Sequence, residues 1–487
     1  MNYKMIGKIL ALILGFCAIF MLPAFFISLG VGAMSAVLGF GVSIGITAAV
    51  AVLLGLLSRG AKKDFFAGEG LACVGLGWIL MSLFGSLPFV ISGEIPHFID
   101  AFFETVSGFT TTGASILSNV EALSAGMLYW RSFSHWIGGM GVLVFVLAVA
   151  PVSSKSEGFT MHLLRAESPG PSVGKLTPRI RQTATVLYLT YIGLTVLNFL
   201  LLLVDLPAFD ALLTAFGTAG TGGFGIKNTS MMEYSAYTQI VTTVFMLLFS
   251  VNFTCYYLLM LRRVRDVLKD EELRMFGAVV LASVALITLN LMTMETPLFS
   301  SFGETLRHAF FQVGSIGSST GFVSADFELW PSFSKAILFF LMCMGACAGS
   351  TGGGFKAMRV LLLFKVLFRN VYQRMHPNRV KTIRVNGKAV DEKLLSGVSA
   401  YFILYIAIFF VSFLLISIDG KSMLTNISAV FATINNTGPG FEAVGATCNY
   451  AGFGIFSKCV LIFDMLAGRL EFFPILVLFH PGSLKRE

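Results

Sequence analysis

A chain of 487 residues that is 56% hydrophobic and only 12% charged does not have the composition of water-soluble domains; the solvent it implies is mostly lipid. Its net charge of +8 does not point to nucleic acid, because the Lys and Arg residues follow the ends of apolar runs and form no single basic face. The seven cysteines (Cys17, Cys73, Cys255, Cys343, Cys347, Cys448 and Cys459) lie mostly inside apolar runs with no CxxC pair, and read as small apolar fillers.

Ten runs are long enough to cross a hydrocarbon core, which takes roughly 20 residues. They lie at 5–29, 34–57, 72–93, 129–151, 183–204, 237–260, 276–294, 330–368, 396–418 and 450–479. Lys4 and Lys8 precede the first, but no small-residue cleavage site followed by polar sequence comes after it, so it reads as a retained helix. Bases concentrate at 58–70, 152–182, 261–275 and 356–395. The opposite side holds only Arg131, Lys227, Arg307, Lys335, Lys421 and Lys458, while Arg469 stays within a span. This asymmetry predicts both termini inside, in a multi-pass protein of the cytoplasmic (inner) membrane.

After the first two spans, the other eight pair around segments too polar and glycine-rich to cross as helices. Each unit reads span, outer loop, short amphipathic helix, Gly/Thr segment, span. The short helices are predicted at 98–108, 208–217, 304–314 and 425–434. The segments after them are Thr110, Thr111, Thr112, Gly113; Ala219, Gly220, Thr221, Gly222; Ser318, Ser319, Thr320, Gly321; and Asn435, Asn436, Thr437, Gly438. Aligned on the shared Thr-Gly, the glycines are spaced by 109, 99 and 117 residues, which is a fourfold repeat. The expected fold is an all-α polytopic membrane protein with four parallel span–pore loop–span repeats around a central pore, plus two N-terminal spans. The units are 1–60, then repeats at 61–155, 156–265, 266–385 and 386–487.

Extended backbone at membrane depth is tolerated only where it lines a watery cavity or is buried in protein. Four such segments on one axis predict a filter in which backbone carbonyls replace a cation's hydration shell, with glycine supplying the positive φ angles. The short helices would aim their negative C-terminal ends at the pore. Asp100, Glu104, Asp210 and Glu304 sit near their starts, where they suit the dipole and attract cations to the outer vestibule.

These segments resemble the four pore loops of the Trk/Ktr/HKT superfamily of potassium transporters, and the two extra N-terminal spans resemble its bacterial TrkH branch. The resemblance covers essentially the whole chain. It implies potassium as the transported ion, with glycine in all four loops favouring potassium over sodium. It also implies a homodimer and a cytosolic nucleotide-binding regulatory subunit, for which the basic loop 356–395 is the natural attachment.

The run 330–368 would measure about 58 Å as one helix, almost twice the core thickness, so it must break. Its middle, 345–355, contains Gly345, Gly349, Ser350, Thr351, Gly352, Gly353 and Gly354, and predicts an unwound gate loop facing the cavity. A phosphate-loop reading of 349–356 fails for want of the Gly-Lys-Ser/Thr ending. Arg469, in the last span, is costly in lipid and reads as functional. Neither Asp464 nor Glu471 shares its helix face, which places its partners in the pore or on another repeat; in the resembled family an arginine here sits beside the gating loop. His135 and His308 flank pore segments, and no histidine reads as catalytic. No nucleophile–base or metal constellation supports an intramembrane enzyme, and no bound cofactor is expected. A proton- or sodium-coupled transporter on the same scaffold is the alternative.

Overall fold

The computed structural model describes residues 2–60, 67–141 and 180–479. Over these residues the chain is helical, with one two-stranded hairpin (β1, Arg384–Val385; β2, Lys388–Ala389). Helix α1 (Tyr3–Val31) is capped by Asn2, whose side chain accepts from Met5 N, and ends at Gly32 with φ 76°, the left-handed conformation glycine adopts without strain. Two residues later α2 (Met34–Leu57) begins and runs back beside it. Leu38, Val42, Leu53 and Leu57 on α2 stay exposed, as lipid-facing side chains should.

Repeat 1 consists of α3 (Ala67–Ser92), the short α4 (Phe98–Phe109) and the return helix α5 (Ala125–Met140). The remainder of the span expected at 129–151 lies outside the described residues, as does most of the basic segment 152–182. Repeat 2 consists of α6 (Ile180–Leu202), α7 (Ala208–Ala219) and α8 (Ala236–Ser250), followed by α9 (Phe253–Met260) and α10 (Val264–Leu268). Repeat 3 is α11 (Glu271–Met292), α12 (Phe302–Gly317), α13 (Ser332–Met344) and α14 (Ala357–Met375). Repeat 4 is α15 (Glu392–Ile416), α16 (Met423–Ile434), α17 (Ile455–Arg469) and α18 (Phe473–Phe479).

The architecture is the expected one, with two spans revised. The run 330–368 breaks between α13 and α14, as its length requires. The run 237–260, expected as one helix, turns by 90° between α8 and α9. The run 450–479 breaks at Leu470–Phe472, where Glu471 and Phe472 take positive φ. The four short helices are the most buried elements: Phe103, Phe109, Leu213, Ala215, Phe311 and Ala432 are fully enclosed, which places α4, α7, α12 and α16 at the centre with the long spans outside.

Candidate functional site

Each short helix ends in the same motif. Thr112 N donates to Ser107 O and Thr111 N to Gly108 O; Gly222 N to Gly217 O and Thr221 N to Thr218 O; Thr320 N to Ser315 O and Ser319 N to Ile316 O; Thr437 N to Ala432 O and Asn436 N to Thr433 O. These are four Schellman closures, in which the left-handed residue is Thr111 (φ 55°), Thr221 (53°), Ser319 (59°) or Asn436 (51°). Two residues on, the backbone is again left-handed at Gly113 (80°), Gly223 (78°), Gly321 (83°) and Gly438 (92°).

This geometry corrects the register of the second segment. Aligning on Thr-Gly selects Ala219 to Gly222, whereas the backbone aligns Gly220 to Gly223 with the other three segments, and Ala219 is the last residue of α7. Gly222 is glycine for another reason: a Cβ there would lie 2.3 Å from the ring of His135. The handed position belongs to Gly223.

The four segments close on one another. A Cβ on Gly113 would lie 2.0 Å from Gly222 O, one on Gly223 2.0 Å from Thr320 O, one on Gly321 2.2 Å from Thr437 O, and one on Gly438 2.6 Å from Thr112 O. Repeat 1 therefore meets repeat 2, 2 meets 3, 3 meets 4, and 4 meets 1. This is a ring of interleaved backbone about one axis, too tight for any side chain at these glycines.

Side chains behind the ring hold the segments in place. His135 is fully buried on α5; its Nδ1 is 2.7 Å from Gly108 O, and its Nε2 accepts from Phe224 N at 3.2 Å, which fixes the neutral Nδ1–H tautomer and ties repeat 1 to repeat 2. Arg131 Nε pairs with Glu104 Oε1 at 2.6 Å, both enclosed, while its other arm donates to Gly225 O and its face covers Phe224. Glu104 also accepts from Ile116 N and Ser115 Oγ. Removing one partner from a buried pair strands the other charge, so Glu104→Ala should lower stability by about 3–5 kcal/mol. A thermal-melt comparison of the purified proteins checks this, and an unchanged melting temperature would show the pair to be dispensable. In the outer loops, hydrogen bonds from Ser422 and Thr425 hold Glu442 below the usual carboxylate range, so it stays charged beside the fourth segment.

Beneath the ring lies loop 345–356. Gly345 (φ 68°), Gly349 (67°), Gly354 (87°) and Lys356 (79°) all take left-handed backbone, which unwinds the helix. Its neck is closed by Ala357 N to Ala346 O (2.9 Å) and Ala346 N to Gly353 O (3.3 Å). The loop touches repeats 2, 3 and 4. Cβ atoms on Gly352 and Gly353 would strike Ser318 O and Asn435 O at the base of the third and fourth segments, and Gly353 N donates to Ser319 Oγ. Cys347 N and Thr351 N donate to Ser250 O and Phe249 O at the end of α8, and Phe253 N donates back to Gly349 O. Glu272 at the start of α11 accepts from Ala348 N, and Lys356 Nζ donates to Gly352 O. The loop is thus packed against the bases of the third and fourth segments and the end of α8.

Arg469 completes the arrangement. Its Nη1 donates to Thr351 O (2.9 Å) in the loop, and its Nη2 to Gly138 O and Gly139 O (2.8 Å for Gly139) at the C-terminal end of α5. Its partners are thus on other repeats, as expected, and are carbonyls. Glu471 instead pairs with Arg359 of α14 at 2.6 Å, with the guanidinium stacked 3.8 Å from the Tyr401 ring centroid.

A family model for cation transport proteins, TrkH, matches residues 43–484. The chain belongs to this TrkH family. It is 38% identical over 439 residues to the Trk system potassium uptake protein TrkH of Salmonella typhimurium, covering 89% of each chain, and 34% identical over 498 residues to that of Halomonas elongata, covering both fully. The fold superposes on the crystal structure of the potassium transporter TrkH from Vibrio parahaemolyticus with a TM-score of 0.87 at 32% identity, over 100% of both chains.

The sequence reading located the four segments, the loop and Arg469. It missed Gly223, Glu272, Lys356, Arg359 and the α8–α9 bend, and it noted His135 without a role. It also missed Gly138 and Gly468, where a Cβ would fall 1.8 Å from Phe109 O and 1.9 Å from Ile434 O, at matching places in repeats 1 and 4. Small residues that let a return helix press on its own pore helix were the available signal.

Proposed function

We propose that this chain takes up potassium across the cytoplasmic membrane, with the closed glycine ring as selectivity filter, loop 345–356 as gate and Arg469 as the charge that holds it. The ring is the observation that carries this reading: four left-handed backbone segments, locked edge to edge, present carbonyl oxygens at fixed spacing to a dehydrated cation. The hydroxyls of Thr111 and Thr437 and the Asn436 Oδ1 are buried there without a hydrogen bond among the described residues, in keeping with a site that serves ions or water. The relatives' names support potassium as the ion. In this reading both termini face the cytoplasm, the protein works as a homodimer, and a cytosolic nucleotide-binding subunit acts on the basic segment 356–395, which follows the gate directly.

Ion flux from purified protein in liposomes tests the assignment. The native chain should pass potassium in preference to sodium. Serine at any of Gly113, Gly223, Gly321 or Gly438 should reduce that discrimination about tenfold, the effect of about 1.4 kcal/mol in relative binding. Unchanged selectivity in all four variants would remove the filter assignment. The same assay separates a channel-like path, whose current reverses at the potassium equilibrium potential, from proton- or sodium-coupled transport, whose reversal moves with the second ion.

A further inference from the structure

The bend between α8 and α9 has a specific outward continuation. From the α8 end, where Phe249 and Ser250 accept the loop's N–H groups, the chain turns by 90° at Val251–Asn252. Asn252 caps α9 by accepting from Thr254 N, and Phe253 donates to the loop at Gly349. Helix α9 therefore runs across the direction of α8, with its first residue hydrogen-bonded to the proposed gate.

The far end of this segment mixes exposed apolar and basic residues and is not covered by the other described residues. Leu259, Met260, Leu261, Val264 and Leu268 are 42–68% exposed, while Phe253, Cys255 and Val267 are buried and anchor it. Arg262, Arg263, Arg265 and Lys269 stand among these apolar residues and are exposed; the single acid of the stretch, Asp266, is held by Arg263 at 2.6 Å. Asp270 and Glu271, which follow, are turned inward: Asp270 caps α11 and accepts from Asn386, and Glu271 accepts from Lys365 and Asn386. The 15 residues of α8 span about 22 Å at 1.5 Å per residue, less than a hydrocarbon core of about 30 Å. A segment leaving α8 crosswise at that depth would lie along the leaflet away from the ring's outer face, with its bases available to that leaflet's headgroups. Apolar side chains at the acyl boundary with arginines beside them are the chemistry of an interfacial anchor for anionic lipid.

We propose that residues 259–269 bind anionic phospholipid headgroups, and that this contact, transmitted through α9 to Phe253 and Gly349, sets the position of loop 345–356. The proposal rests on the gate reading above for its consequence, though not for the binding itself.

Two measurements on the full chain test it. In the first, Leu261→Trp protein is placed in nanodiscs containing brominated phosphatidylglycerol or brominated phosphatidylcholine, and emission is compared with that of the parent chain. Quenching of the added indole should be selective for the brominated anionic lipid and should fade with rising salt. Neutralising Arg262, Arg263, Arg265 and Lys269 to Gln should lower lipid affinity about fivefold for each base. Equal quenching by both lipids, or a selectivity that survives neutralisation, overturns the proposal; so does no quenching by either, which would mean that a second chain or a soluble partner covers the segment. In the second, potassium flux is compared in phosphatidylcholine vesicles with and without phosphatidylglycerol. A several-fold change that the neutralised variant lacks supports coupling to the loop, and equal flux overturns it. Absence of flux in every vesicle speaks against the gate reading alone, because the quenching arm decides the binding on the otherwise native chain.

Discussion

Replacing Arg469 with alanine should raise basal potassium flux by about one to two orders of magnitude and leave selectivity unchanged. The guanidinium donates to Thr351 O in the loop and to two carbonyls at the end of α5, so one positive charge sits between repeat 1 and the loop beneath the ring. At an effective dielectric of about 20, a potassium ion about 6 Å away meets a repulsion of about 2.8 kcal/mol. That barrier slows passage roughly a hundredfold. The contacts that close the ring run between backbone atoms of the four segments, which is why selectivity should hold. Lysine keeps the charge but not the planar fork that serves the loop and α5 together, so Arg469→Lys should keep most of the electrostatic barrier while loosening the loop, with flux between the native and alanine values. Flux per folded molecule is the quantity to measure. A lower melting temperature with no gain in flux would reduce Arg469 to a structural tie.

Excising residues 347–352 should raise flux by a similar factor and weaken its dependence on any regulator. The ends that the excision joins already lie side by side, because Ala346 N donates to Gly353 O and Ala346 O accepts from Ala357 N. The neck and both flanking helices can therefore persist while the part that reaches α8 and Arg469 is removed. Flux is again measured in liposomes, with melting temperature as the control. A folded protein with reduced flux would identify the loop as a packing element joining repeats 2, 3 and 4.

The two effects draw on features that differ in how far the sequence discloses them. A largely apolar run of 39 residues cannot cross once, and its consecutive glycines mark where it opens; the break at 345–356 follows from length and propensity alone. Arg469 stands out for the same kind of reason, as a charge in a span. Its partners do not, since a backbone carbonyl has no signature in sequence. The α8–α9 bend is hidden because Phe245 to Met260 is mostly apolar, broken only by Ser250, Asn252 and Thr254 and with no glycine or proline, and what stabilises the turn, hydrogen bonds from a loop of another repeat, comes from about a hundred residues away in the chain.

The ring shows the limit most clearly. Counting Thr-Gly pairs locates all four segments but misplaces the second by one residue, because Gly222 and Gly223 are both glycine for unrelated reasons. One makes room for His135; the other takes the left-handed turn against Thr320 O. Only the backbone dihedrals and the neighbouring carbonyls separate them. The Glu104–Arg131 pair was similarly half legible, with Glu104 read as a dipole and vestibule acid when it is a buried counter-ion behind the ring.

Anomalous diffraction from crystals grown in thallium or rubidium, used as potassium substitutes, tests the central assignment most directly. The account predicts cation peaks on the axis of the ring, among the carbonyls of Thr112, Gly222, Thr320 and Thr437, and their weakening when Gly223 is replaced by serine. Peaks confined to other parts of the molecule, with none on that axis, would contradict it.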